Sequence, residues 1–235
     1  MTRRRAFVLV AGLAAVAAGV LLAPQISSLA GHFGLEVRRL EARNRAQPPE
    51  PGGIVFIGSS SIRFWSSLAR DMAPLPVSNQ GFGGSHIEHV IRYAPRLVLP
   101  HRPRLVVLYA GDNDLAGDDK TPESVSADFG VLVSRIHASL PETRIYFLAI
   151  KPSIRRWDRW PGMRAANRQI ADACADDPRL VYVDVATPML GPEGEPRKEL
   201  FVFDGLHLSE KGYALWTSIL RPRLQRDWRR LTAAP

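Results

Sequence analysis

From residue 54 onward, short apolar runs alternate with stretches of helical periodicity, and this alternation constrains the fold more than any other feature of the sequence. Ile54 to Ile57, Pro76 to Asn79, Leu105 to Tyr109, Ile145 to Ile150 and Leu180 to Val183 each have the length and apolar character of a buried strand. Between and after them lie helical patterns. From Pro122 to Leu140, the residues Val125, Phe129, Leu132, Val133, Ile136 and Leu140 share one face, with Thr121 placed to cap the helix and Pro122 in its first turn. A second helix, Met163 to Ala175, presents Ala166, Ile170 and Cys174, and a third, from Ser209 to about Gln225, presents Tyr213, Trp216, Leu220 and Leu224. Strands separated by helices pair in parallel, so the expected fold is α/β: a three-layer α/β/α sandwich around a parallel sheet of about five strands, flavodoxin-like in outline. A hydrophobic content of 46% is enough to fill such a core and excludes a disordered chain.

The first 53 residues follow a different pattern. Ala6 to Ala23 reads AFVLVAGLAAVAAGVLLA directly behind Arg3, Arg4 and Arg5, and no charged residue occurs from Ala6 to Leu35. Such a run is an export signal or a membrane anchor, with its positive flank inside and the rest of the chain on the outer face. It exceeds the ~7 to 15 apolar residues of a signal peptide and approaches the ~20 of a spanning helix. Ser28-Leu29-Ala30 nevertheless offers small residues for cleavage, and Arg4-Arg5-Ala6-Phe7 meets the short twin-arginine pattern. Both outcomes stay open: a membrane-anchored domain, or a periplasmic or secreted one. The polar stretch after it ends in Gln47-Pro48-Pro49-Glu50-Pro51-Gly52-Gly53 and reads as a linker. The expected organisation is therefore a signal or anchor over 1–35, a linker over 36–53 and a catalytic domain over 54–235. Three of the eight net positive charges sit in the N-terminal arginines, and the others are scattered rather than gathered into a stripe, which argues against nucleic-acid binding. Cys174 is the only cysteine, so one chain can build neither a disulfide framework nor a CxxC site.

In an open parallel sheet, ligands bind beyond the carboxyl ends of the strands. Reactive residues follow several of the expected strands here. Gly58-Ser59-Ser60-Ser61 places serines at a tight turn before a helix, where serine also serves as an ordinary cap. Gln80-Gly81-Phe82-Gly83-Gly84-Ser85 is a glycine loop. It fails the dinucleotide fingerprint, because His86 stands where a third glycine belongs, but it can aim a backbone N–H at a developing oxyanion. Gly111-Asp112-Asn113-Asp114 brings a side-chain amide to the same edge, where asparagine is otherwise a common turn residue. Asp204-Gly205-Leu206-His207 sets a carboxylate three residues before a histidine, a spacing that lets the carboxylate hold one ring nitrogen while the other faces a serine.

Taken together, in order and position, these blocks resemble those of the SGNH hydrolase, or GDSL-like lipase and acylhydrolase, superfamily, over residues 54 to about 220. The resemblance implies a serine ester hydrolase working through an acyl-enzyme. Ser60, Asp204 and His207 would form the triad, and the Ser60 N–H, the Gly84 N–H and the Asn113 side chain the oxyanion hole, with Gly83 replacing Gly84 if the glycine block is shifted by one. It implies no metal and no organic cofactor. The sequence departs from the family at Ser59, which stands where the family has aspartate and leaves three consecutive serines. An α/β-hydrolase fold is disfavoured because Gly-x-Ser-x-Gly is absent and the acid directly precedes the histidine. Fitting substrates are small acyl esters, lysophospholipids and acetylated carbohydrates. Rival readings are an acyltransferase to an envelope sugar and a binding module on the same fold. Partners are then an ester substrate and, for the N-terminal segment, a membrane, with the oligomeric state open.

Other residues carry weaker signals. His86 and His89 flank Glu88 but lack a further ligand at zinc spacing, and His32, His101 and His137 read as solvated. The stretch Arg155-Arg156-Trp157-Asp158-Arg159-Trp160 follows the fourth strand on the reactive edge, so Trp157 and Trp160 are candidates for lining an acyl or sugar pocket.

Overall fold

The computed structural model describes residues 33–117 and 119–233. Contacts divide the chain into two compact units, Met1–Arg39 and Leu40–Pro235. The segment expected to be a signal or anchor lies, up to residue 32, outside the described residues. Among those described, no helix is long and apolar enough to cross a membrane.

A helix, α1, covers residues 33–46. The linker expected over 36–53 is thus non-helical only after residue 46, where it includes a turn closed by the Gly53 N–H on the Glu50 carbonyl. The correction has a local cause. Glu36 to Ala46 consists almost wholly of Leu, Glu, Arg, Ala and Asn, mostly strong helix formers, and the Pro and Gly residues begin only at Pro48. In the larger unit the end of α1 is held by polar contacts: the Asn44 amide exchanges hydrogen bonds with Gln80 (3.0 and 3.1 Å), Arg43 donates to the Asn79 carbonyl, and Glu41 pairs with Arg96 through two 2.8 Å bonds.

Five parallel strands follow: β1 (Ile54–Gly58), β2 (Val77–Gly81), β3 (Leu105–Tyr109), β4 (Arg144–Leu148) and β5 (Leu180–Val183), in the order β2-β1-β3-β4-β5. This is the flavodoxin-like order expected of a doubly wound sheet. Two short helices, α2 (Ser60–Arg63) and α3 (Leu68–Asp71), connect β1 to β2. They are followed in turn by α4 (Ile87–Leu97), α5 (Pro122–His137), α6 (Trp160–Ala175) and α7 (Glu210–Thr232). Every residue of β1 and β3 is buried, as the interior of a sheet covered on both faces requires. Neighbouring residues of β4 show the two covers. Tyr146 hydrogen-bonds Asp227 of α7, whereas Phe147 meets the Phe129 ring of α5 at 5.2 Å. Successive strand side chains point to opposite faces, so α5 and α7 cover opposite sides of the sheet.

On the α7 side an aromatic cluster fills the core: Trp65 stacks on Tyr213 at 5.1 Å and meets Phe56 edge-on, and Trp216 lies 5.0 Å from Tyr109. Helix α5 begins where expected, with Thr121 and Ser124 exchanging side-chain to backbone hydrogen bonds and Pro122 in the first turn. The register aligns the carboxyl ends of the central strands, with Gly58 beside Gly81 of β2 and Tyr109 of β3. That alignment brings the reactive segments to one edge.

Candidate active site

At the end of β1 the chain must turn sharply beside β3. Gly58 has φ +140, and a Cβ there would lie 1.8 Å from the Tyr109 carbonyl oxygen, so only glycine fits. The next residue, Ser59, is buried and its N–H donates to that same carbonyl at 2.9 Å. Ser60 then opens α2 and is half-buried, while Ser61 is buried behind it. Of the three serines, Ser60 is the one whose hydroxyl reaches the histidine, with 3.0 Å between Ser60 Oγ and His207 Nε2.

The other ring nitrogen, Nδ1, lies 2.5 Å from Asp204 Oδ2, and Asp204 Oδ1 accepts the backbone N–H groups of Leu206 (2.8 Å) and His207 (2.9 Å). The three-residue spacing therefore folds into a tight turn in which one carboxylate holds both the backbone and the ring of the histidine. Burial pushes the Asp204 pKa up, but the hydrogen bonds from His207 and Leu206 outweigh it and set the carboxyl at about 2. With Asp204 ionised, Nδ1 carries the donated proton and Nε2 accepts from the serine hydroxyl, the arrangement in which an imidazole can take a proton from a nucleophile. The Phe64 ring stands edge-on to His207 at 5.0 Å and adds a packed wall.

The glycine segment and the Gly-Asp-Asn-Asp segment meet beside this relay. Asn113 Nδ2 donates to the Ser85 carbonyl at 3.2 Å, directly after Gly84, whose φ is +72. Asp114 ties the same two segments from below. Its Oδ1 accepts the Ile87 N–H at 3.1 Å, and burial lifts its pKa to about 6 against the pull of His86 and that N–H. Ser60, Asp204, His207, Gly84 and Asn113, the residues singled out in the sequence, thus gather at one sheet edge.

Sequence reasoning missed what holds Asn113. Arg156 donates to Asn113 Oδ1 (3.0 Å) and to the Asp112 carbonyl (2.9 Å), which fixes which end of the amide faces the glycine segment. Beneath it, Lys151 and Asp112 form a buried ion pair at 3.3 Å, with Arg156 3.5 Å from the same carboxylate. Burial raises the Asp112 pKa, but the charges of Lys151 and Arg156 win and hold it below the ordinary value. The expectation for Trp157 and Trp160 needs correcting at Trp160. That ring is buried at the start of α6 and stacks on half-buried Trp157, so it packs the helix start. The signal for Arg156 was its position just past β4 on the reactive edge, although nothing in a run of two arginines says which turns inward.

Nitrogen and oxygen atoms of His86, Glu88 and His89 lie within 4.8 Å of one another, close enough to hold a cation. These groups have protein partners, however. His89 Nδ1 accepts the His86 N–H at 3.0 Å in a reciprocal cap of α4, and Glu88 pairs with Lys120 at 3.1 Å. A neutral His89 that accepts at Nδ1 carries its proton on Nε2, which suits a helix cap better than metal ligation.

The family model of the GDSL-like Lipase/Acylhydrolase family matches residues 56–215, which takes in both the Ser60 turn and the Asp204–His207 turn. The chain belongs to that family. Among solved structures, this GDSL-like hydrolase is similar to a protein from Streptococcus pneumonia with a TM-score of 0.73 and 19% identity, over 88% of this chain and 99% of that one. It is also similar to a GDSL-like lipase from Bacteroides thetaiotaomicron (TM-score 0.69, 17% identity, 81% and 98% covered). A mutant of an acetylxylan esterase from Geobacillus stearothermophilus matches with a TM-score of 0.55 and 14% identity, over 76% and 94%. At these identities the likeness shows the fold. No curated protein matches the chain.

Proposed function

We propose that this GDSL-like hydrolase is a serine esterase that cleaves a small acyl ester, a lysophospholipid or an acetylated carbohydrate through an acyl-enzyme. The observation that carries the reading is the relay from Ser60 Oγ through His207 to Asp204, with 3.0 and 2.5 Å contacts. His207 takes the Ser60 proton as Oγ attacks the ester carbonyl, and Asp204 orients the ring and stabilises its charged form. The oxyanion is held by the N–H groups of Ser60 and Gly84 and by Asn113 Nδ2. His207 then protonates the leaving oxygen, and a water activated by the same nitrogen releases the acyl group. These steps are complete with the side chains named.

The test is hydrolysis of p-nitrophenyl acetate together with fluorophosphonate labelling. Ser60→Ala should lose both, whereas Ser59→Ala and Ser61→Ala, whose hydroxyls are buried away from the ring, should keep the label. His207→Ala should cost nearly as much turnover as Ser60→Ala, and the double variant little more, because such residues act as a unit. A labelled Ser60→Ala protein would overturn the assignment. Adding sugar acceptors separates hydrolysis from acyl transfer, which the same relay permits, and a labelled protein inert on all esters would favour a binding module.

The uncharged run behind Arg3 to Arg5 supports export, with the domain on the outer face of a membrane or released beyond it. A C-terminal reporter active only in the cytoplasm should stay silent. Reporter activity would refute export.

A further inference from the structure

Large apolar side chains left exposed among the described residues are few, and four of them, Phe64, Ile154, Val202 and Phe203, surround the Asp204–His207 turn. The other two, Leu35 and Val131, lie on α1 and α5. Phe203, next to Asp204, is fully exposed at 104%. Single exposed apolar residues are ordinary on a protein surface, but a cluster at a reactive site marks a binding surface.

The backbone fixes this cluster to His207. The Val202 N–H donates to the His207 carbonyl at 2.9 Å. The Arg155 N–H donates to the Gly205 carbonyl at 3.1 Å, which sets Ile154 against the turn. Phe64 meets the imidazole edge-on. Val202 lines two concavities: one of about 540 Å³, the more apolar, includes Ile154, Phe203 and Asp204, and the other, of about 840 Å³, includes Phe64 but is lined mainly by polar side chains. Neither is lined by Gly84 or Asn113, nor by Ser60 or His207; one reaches the relay through Asp204, the other through Phe64, which packs on the His207 ring. The collar therefore belongs to the histidine side of Ser60.

That placement assigns its occupant. When the tetrahedral intermediate collapses, the bond from carbon to the alkoxy oxygen breaks, the oxyanion electrons re-form the carbonyl, and the proton on His207 Nε2 passes to the departing oxygen. The alcohol leaves, and the acyl group stays on Ser60 Oγ. Since the nitrogen that took the serine proton must also reach the leaving oxygen, the alcohol portion of the ester lies beside the His207 ring. We infer that the collar of Phe64, Ile154, Val202 and Phe203 is the leaving-group subsite, and that the alcohol it takes is apolar. This inference rests on the esterase reading above.

A series of acetate esters of straight-chain alcohols, from ethanol to hexanol, tests it at monomeric concentrations. Every member forms the same acetyl-enzyme, and the alcohols beyond ethanol hardly differ in acidity, so kcat/KM reports how the alcohol is bound during acylation. Full burial of a methylene corresponds to roughly a fourfold gain, and an open collar should give about twofold per methylene. Phe203→Ser and Val202→Ser should flatten that slope, leaving the ratio between butyrate and acetate esters of one alcohol unchanged. Phe203 is fully exposed, so its replacement removes no core packing, and fluorophosphonate labelling checks that the site is intact. Val131→Ser, on α5, should keep the native slope. A flat alcohol series in the native protein that still hydrolyses ethyl acetate overturns the inference and leaves the esterase reading standing. So does a slope unchanged in both collar variants. Loss of both ester turnover and Ser60 labelling in the native protein removes the esterase reading, and the inference with it.

Discussion

Asn113 depends on a neighbour that the sequence did not single out. Its amide has two ends of similar shape, and only a donor on Oδ1 keeps Nδ2 turned toward Ser85 and Gly84. Arg156 is that donor, at 3.0 Å, and its second bond to the Asp112 carbonyl holds the guanidinium in place. Removing an oxyanion donor outright costs about 100- to 1000-fold in turnover. Arg156→Met leaves the amide present but free to turn, so it should lower kcat roughly tenfold with KM little changed. Arg156→Lys should not restore the rate, because one ammonium cannot make both bonds with the same geometry. A KM rise with kcat unchanged would mean that Arg156 binds substrate instead. The meeting of Ser60, His207 and Asp204, and of Asn113 with the glycine segment, was legible because each sits in a short block whose spacing carries its geometry. Arg156 and Lys151 were not, because their partners are distant in sequence and only folding selects which cation turns inward.

Among the elements, β1 was legible to within one residue, because a run of buried apolar residues ending in glycine leaves few alternatives. Helix α1 was hidden. Its polar composition suits a linker as well as a surface helix, and the prolines that follow drew the boundary too early. Helix α7 runs past its expected end near Gln225 to Thr232, with Pro222 accommodated inside it, so a proline that normally ends a helix is tolerated here. The junction of β1 with β3 makes a sharp prediction. Gly58→Ala puts a methyl 1.8 Å from the Tyr109 carbonyl at a backbone angle that side chains avoid. The cost should be about 3 kcal/mol or more, seen as a fall in Tm of roughly 10 °C. Labelling of Ser60 should fall further still, since the strain falls on the turn that presents it.

For the whole molecule, two carboxylates, half-buried Asp204 and buried Asp114, make stability depend on pH in opposite directions. Asp204 has a folded pKa of about 2, below its unfolded value, so its contribution is present above about pH 4 and is lost as pH falls toward 2. Asp114, raised to about 6, binds its proton more tightly when folded, so its contribution is full below about pH 4 and is lost as pH rises through 6. Urea midpoints should therefore show Asp204→Asn flattening the acid limb and Asp114→Asn flattening the limb between pH 4 and 6, by about 1 to 2 kcal/mol each. The parallel order of the sheet has a different consequence. Its strands deliver the Ser60, glycine and Asn113 segments to their carboxyl ends, whereas the turn after α1 leads into the amino end of β1 at Ile54. Leu231, near the end of α7, lines a hollow with Arg104 and Thr143, the residues that lead into β3 and β4. The end of α7 therefore lies at the edge opposite Ser60, separated from it by the length of a five-residue strand, about 16 Å. A surface holding the molecule by the end of α7 would present the reactive edge outward, and enzyme coupled to beads there should turn over soluble ester as fast as free enzyme.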